Sequence, residues 1–227
     1  MVLLLLGVVV IALVFIPGFW VKHIMSKYSQ PADRYQGTGA DLARYILDEL
    51  NMEGVKVESS DQGDHYDPEA KAVRLSPDNY GSCSLTAITI AAHEVGHAIQ
   101  DHENYPPLRW RHRLVSWAGP AQKLAAGIMI ASPFISIVTR VPIAGVATFF
   151  AGFLFLGLMP LLHLVTLPVE LDASFGRAMP LLTKGGFLKK GDEAHAHKLL
   201  TAAAFTYVAV SLMSLLNVAR WIAILRR

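Results

Sequence analysis

Ser84-Leu-Thr-Ala-Ile-Thr-Ile-Ala-Ala-His93-Glu-Val-Gly-His97-Ala-Ile-Gln100 is the stretch from which the rest of this chain can be understood. It predicts one helix with small and apolar residues on every face, so the helix belongs in an interior. Such a helix has little reason to carry two histidines and a glutamate unless something pairs with them, because unpaired polar groups in apolar surroundings cost several kcal/mol. His93 and His97 lie four residues apart and share a face, where two imidazole nitrogens can meet a single ion with Glu94 projecting beside them. Gly96 costs about 1 kcal/mol in helix propensity, and its missing side chain lets another backbone or a substrate approach. The plainer alternative is a pair of satisfied core histidines beside a structural glutamate.

The run His93-Glu94-Val95-Gly96-His97 fits H-E-x-x-H, in which the histidines hold zinc and the glutamate is a general base. Zinc lowers the pKa of a bound water to about 7, and a carboxylate beside it takes the proton as hydroxide attacks a peptide carbonyl. The implied function is that of a gluzincin-like zinc metallopeptidase, with Zn2+ as cofactor, Glu94 as catalytic base and a peptide or protein as substrate.

Catalytic zinc needs a third protein ligand and one open position. Glu170, in Pro168-Val-Glu-Leu-Asp-Ala-Ser174, is placed first, giving the metal set His93, His97 and Glu170. Asp172, the pair His195 and His197, and His163 are the other candidates. Arg177, Tyr207 and His197 each have the chemistry to stabilise an oxyanion.

Composition sets the surroundings. Of 227 residues, 53% are hydrophobic and 17% charged, with a formal net charge of +2, too apolar for an ordinary soluble domain of this size. Val2 to Trp20 is uncharged and long enough to cross about 30 Å of hydrocarbon. It has no basic region before it and no small-x-small cleavage site after it, so it reads as a retained anchor rather than a secretory signal. Leu124 to Val138, extended back to Leu114 with Lys123 snorkelling, Val141 to Leu167 and Leu199 to Val218 are further expected spans, with Pro120 and Pro133 as expected kinks. The expected fold class is an α-helical membrane protein with about four transmembrane helices and a small α/β zincin-like peptidase domain at the membrane surface. Its segments are an anchor over 1–21, a peptidase domain over 22–113, two transmembrane helices over 114–168, a third-ligand segment over 169–198 and a last transmembrane helix over 199–227. Lone Cys83 excludes an intramolecular disulfide and reads as a small buried residue.

Within the polar segment, Thr38-Gly-Ala-Asp41 resembles a capping box opening a helix whose Leu42, Tyr45, Ile46 and Leu50 share a face. Val55-Lys-Val-Glu58 and Ala72-Val-Arg-Leu75 predict short strands separated by turn-rich Asp61 to Pro68. The second strand is an expected edge to which an extended peptide can add, or else part of a plain structural hairpin.

Glu170 and His93 can share a metal only on one side of a membrane, and two expected spans separate them. Lys22, Lys27, Arg109, Arg111 and Arg113 on one polar stretch and Arg177, Lys184, Lys189, Lys190 and Lys198 on the other, against Arg140 across, favour a cytoplasmic site at the membrane; Arg226 and Arg227 run against that tally. Arg109, Arg111 and Arg113 interleave with Trp110 and Trp117 as an interfacial anchor touching the lipid bilayer, with no nucleic acid as partner.

Four segments together resemble the bacterial membrane-bound neutral zinc metallopeptidases of the YugP type: Asp64-His-Tyr-Asp-Pro68, Val73-Arg-Leu-Ser-Pro77, Ala91-Ala-His-Glu-Val-Gly-His-Ala-Ile-Gln100 and Leu167-Pro-Val-Glu-Leu-Asp-Ala-Ser174. The resemblance covers nearly the whole chain and implies a peptidase with His93, His97 and a downstream glutamate on zinc. More distantly, the glutamate segment is similar to that of HtpX and the CAAX prenyl protease, where glutamate binds the metal and an acidic-Ala-Asp run follows. Here Ser174 stands where that aspartate is expected, leaving Asp172 as the residue to orient a ligand histidine.

Two other functions stay open. An intramembrane site-2-like protease would place the motif inside a spanning helix, but Asp101, His102 and Glu103 follow closely and no Asn-Pro-Asp-Gly ligand motif occurs in an apolar stretch. A zinc-binding membrane scaffold without catalysis would close its metal with four ligands and need no Glu94. Substrates tethered to the membrane suit the peptidase reading.

Overall fold

The computed structural model describes residues 2–206 and 209, with side chains for all of these except 2–14, 115, 118, 122 and 155–165. In order, the elements are α1 (Val2–Tyr28), α2 (Gly39–Glu49), β1 (Lys56–Ser59), β2 (His65–Asp67), β3 (Ala72–Leu75), α3 (Pro77–Tyr80), α4 (Leu85–His102), α5 (Pro106–Thr139), α6 (Pro142–Val165), α7 (Leu167–Leu171), a π-helical segment (Asp172–Ala178) and α8 (Met179–Lys184). Residues 193–206 are also helical.

Helix α2 starts at the expected capping box, with the Thr38 side chain accepting from Asp41 N–H and the Asp41 carboxylate accepting from Thr38 N–H. Its buried face is Leu42, Ala43, Ile46 and Leu47, while Tyr45 and Leu50 are exposed. The inner stripe is thus turned by about one residue from the expected one, because α4 packs alongside α2 and takes the side that carries the small Ala43.

The sheet has the order β1-β3-β2, with β1 parallel and β2 antiparallel to β3. Ala72–Leu75 is therefore the central strand and not the expected edge. Its N–H and C=O groups are taken on both sides, so no peptide can add there. The partner on its second side, His65–Asp67, comes from the run expected to be only turn, and Tyr66 pairs with Val73 in it. Three buried residues of β3, Ala72, Val73 and Leu75, carry the sheet onto α4. Ser84 caps α4 by accepting from Ala87 N–H, and fifteen of the eighteen residues of this helix are buried.

Two compact units result. One comprises Pro17–Arg109 with Leu167–Thr206, and the other holds Trp110–Thr166 together with the described residues up to Ile16. The core of the first gathers Leu42, Ile46, Leu47, Val73, Leu75, Ile88, Val95, Leu182, Leu199 and Leu200. In the second, α5 and α6 approach closely where Gly152 lies against Met129 and the Ala125 carbonyl.

The expected four transmembrane helices are not supported. Among the described residues one helix, α5, is long and apolar enough to cross a membrane, and Pro142–Leu154 is a shorter apolar helix. Hydropathy records apolar side chains without recording what covers them. Leu199, Leu200, Ala202 and Ala203, which open the fourth expected span, are core residues of the first unit, as is Ile24 at the end of α1. Of Leu199–Val218, residues 207, 208 and 210–218, Tyr207 among them, lie outside the described residues. Helix α5 begins at Pro106, well before the expected start, and runs through both Pro120 and Pro133.

Candidate metal centre

Helix α4 presents His93 and His97 on one face, their rings 4.8 Å apart and nearly perpendicular at 78°. Facing them is Glu170, 1% exposed, on the short helix α7 that opens at Leu167-Pro168. Both histidine Nε2 atoms stand 3.3 Å from the same oxygen, Glu170 Oε2. One atom from each of the three residues lies within 4.8 Å of the others, and all three residues are buried. Glu94, next to His93 on α4, is buried as well.

Hydrogen bonds behind the rings fix which nitrogens face the carboxylate. Gln100 donates through Nε2 to the Val169 carbonyl (2.9 Å) and to Asp172 Oδ2 (2.8 Å), so its Oε1 turns to His97 Nδ1 at 2.9 Å. An amide oxygen only accepts, hence Nδ1 of His97 carries the proton. Ser174 has one hydroxyl proton and donates it to the Leu200 carbonyl at 3.2 Å, leaving its oxygen to accept from His93 Nδ1 at 3.1 Å. With Nδ1 engaged behind each ring, it is Nε2 of both histidines that faces the carboxylate oxygen, and as neutral imidazoles the two would offer lone pairs there that call for a positive charge between. Nitrogen and oxygen ligands about 2.0 Å from a tetrahedral zinc lie about 3.3 Å from one another, and the separations found here match that spacing. The donor set fits zinc.

Local structure around Glu170 depends on the π-helical segment. Met179 N–H bonds Ser174 O five residues back, and the same register stacks Arg177 over Asp172, with Nε 2.8 Å from Oδ2. In an α-helix residues five apart are rotated by about 140° and do not meet. Arg177 also donates to Glu103 (2.8 Å) and lies over the Tyr105 ring. Burial pushes the Arg177 pKa down, but the hydrogen bonds it donates to Asp172 and Glu103 outweigh it and leave the pKa raised.

Gly96 admits this segment. A methyl there would meet the Ala173 main chain, which is the backbone approach expected of it. Asp172 reaches the histidines only through Gln100, and Ser174, at the position expected to hold aspartate, supports His93 directly. Gln100 was not singled out from sequence, although a glutamine three residues beyond His97 on a buried helix is the kind of buried polar group that must have partners. His195 leans on Tyr28 beside Asp192, and His197 lies on Phe175; neither belongs to the His93–His97–Glu170 cluster. The His163 side chain lies outside the described residues.

Away from the metal centre, Arg34 forms a two-pronged pair with Asp192 at 2.7 Å on each arm, and the Tyr35 hydroxyl donates to the same carboxylate. This clamp joins the segment after α1 to the start of the 193–206 helix. Nothing in the sequence linked residues so far apart.

Comparison with known proteins gives the same direction. The family described as "Putative neutral zinc metallopeptidase" matches residues 2–226. A protein of Bacillus subtilis (strain 168), "Putative membrane protease YugP", is 35% identical over 226 residues, covering 99% of this chain and 96% of its own. No solved structure matches. With the family match and the relative both spanning nearly the whole length, the chain belongs to this neutral zinc metallopeptidase family.

Proposed function

We propose that this chain hydrolyses peptide bonds at a zinc held by His93, His97 and Glu170, with Glu94 as general base. The observation that carries it is the convergence of two Nε2 atoms on Glu170 Oε2, each ring oriented by a hydrogen bond at its Nδ1. Bound zinc supplies Lewis acidity and a water of pKa about 7. His93 and His97 would hold the ion through Nε2, and Glu170 would bring the negative charge that offsets part of the ion's. Glu94 takes the proton of the attacking water and returns it to the departing amine.

The membrane enters through α5. Along it Trp117, Phe134, Ile137 and Val138 are exposed, which in water would be costly and in lipid is not. Arg109, Arg111 and Arg113 at its beginning against Arg140 beyond its end favour a cytoplasmic beginning and a cytoplasmic site. An integral protein of this kind stays with the membrane pellet under alkaline carbonate; release into the supernatant would refute the attachment.

Elemental analysis and a peptide-hydrolysis assay test the site. About one zinc per chain is expected, lost in His93→Ala and in His97→Ala, while Glu94→Gln keeps the metal and loses at least about 100-fold in hydrolysis. Histidine variants that hold zinc like the native protein would overturn the assignment.

A further inference from the structure

The two sides of the metal centre come from separate parts of the chain, α4 and Val169–Ser174, and they must be held in register to within a fraction of an ångström to serve one ion. We propose that Gln100 is the positioning residue that couples them, an inference that rests on the zinc site proposed above. Its side chain is fully buried, and every hydrogen-bonding direction it uses lies on this boundary. Oε1 faces His97 Nδ1, while the amide hydrogens go to the carbonyl of Val169 and the carboxylate of Asp172, which flank Glu170 on its two sides.

An amide has unlike ends, so this arrangement works in one orientation only. Turning Gln100 over would set its oxygen against the Val169 carbonyl and the Asp172 carboxylate and its N–H groups against His97. Arg177 holds Asp172 in the acceptor position, and Glu103 holds Arg177. The segment that carries Glu170 therefore also dictates, through Gln100, that His97 bears its proton on Nδ1 and offers Nε2 to the metal. One glutamine sets the relative position of two ligands and the tautomer of one of them. A glutamate at this position could orient His97 but has no hydrogen for Val169 or Asp172, and would bring two carboxylates together.

Metal-free protein labelled with 15N-histidine provides a test independent of hydrolysis. In the native chain the His97 resonances, identified by their loss in His97→Asn, are expected to show the Nδ1–H form. Gln100→Met keeps the volume but removes the acceptor, so the ring should move toward Nε2–H facing Glu170. Zinc affinity, measured by chelator competition, should fall by about 10–100-fold. Gln100→Glu should lose affinity to a similar degree, and adding Asp172→Asn, which restores a donor opposite residue 100, should recover most of the loss; a merely space-filling glutamine predicts no such rescue. Unchanged tautomer and affinity in Gln100→Met, or a double variant no better than Gln100→Glu alone, would overturn the coupling. Zinc retained by His93→Ala would instead refute the metal site, and the His97 tautomer in Gln100→Met would still decide whether Gln100 governs that ring.

Discussion

Gly96 and Ala173 lie main chain to main chain: a methyl group on Gly96 would stand 2.7 Å from the Ala173 carbonyl oxygen and 3.3 Å from its Cα. That contact sets how near Glu170 comes to the two histidines. Gly96→Ala gains about 1 kcal/mol of helix propensity and loses about 1–3 kcal/mol to overpacking. The neighbour here is backbone, which cannot rotate away as a side chain would, so the loss should prevail. A lower melting temperature and a zinc affinity weakened at least about tenfold are expected, read by calorimetry and chelator titration.

Ser174 should matter through His93 alone. Ser174→Ala removes the acceptor for Nδ1 and leaves the fold in place, with zinc affinity falling about tenfold in the same titration. Ser174→Asp should not improve on serine even though an acidic residue orients imidazole strongly, because a carboxylate has no proton for the Leu200 carbonyl now served by the hydroxyl. Tighter zinc in Ser174→Asp would show that the Leu200 bond is unimportant.

The two nearby carboxylates should separate cleanly in metal analysis. Glu170→Ala removes a ligand and should empty the site at micromolar zinc, whereas Asp172→Ala acts through Gln100 and should cost about 10–100-fold in affinity. Equal loss in both would mean that Asp172 touches the metal.

The clamp of Arg34, Tyr35 and Asp192 predicts a pH window for stability. Burial works to raise the Asp192 carboxyl, but the hydrogen bonds from Arg34 and Tyr35 prevail and leave it below the usual carboxylate range. Its stabilisation is present above the ordinary carboxylate pKa and is lost as pH falls through the lowered folded value. Tyr35 is pushed up to about 12, first by burial and then by Asp192 beside it. Its contribution is complete below the ordinary tyrosine value and disappears as pH rises toward 12. Asp192→Asn should therefore melt a few degrees lower than the native chain at neutral pH, with the difference shrinking in acid. A constant difference across the acid range would place the effect elsewhere.

Sequence alone fixed the elements whose signals are local. His93, Glu94 and His97 are tied by helical period, the Thr38–Asp41 capping box by its spacing, and the apolar α5 by composition, because each depends on residues within a few turns of one another. Glu170 could be ranked first from chemistry and from where the chain turns polar, with other candidates still open. Strand order was not legible: His65–Asp67 is three residues long and flanked by turn formers, and only pairing with Val73 makes it a strand and puts Ala72–Leu75 in the centre.

Tertiary structure decided the rest. The π-helical register that brings Arg177 onto Asp172, the bond from Gln100 to Asp172, the closeness of Gly96 to Ala173 and the clamp from Arg34 to Asp192 all join groups by packing rather than by period. The number of apolar stretches read as membrane spans failed for the same reason. An apolar side chain is favourable against lipid and against a protein core alike, and Leu199 and Leu200 turned out to face the core. Period and composition say which residues leave water, and only the folded chain says what they meet when they do.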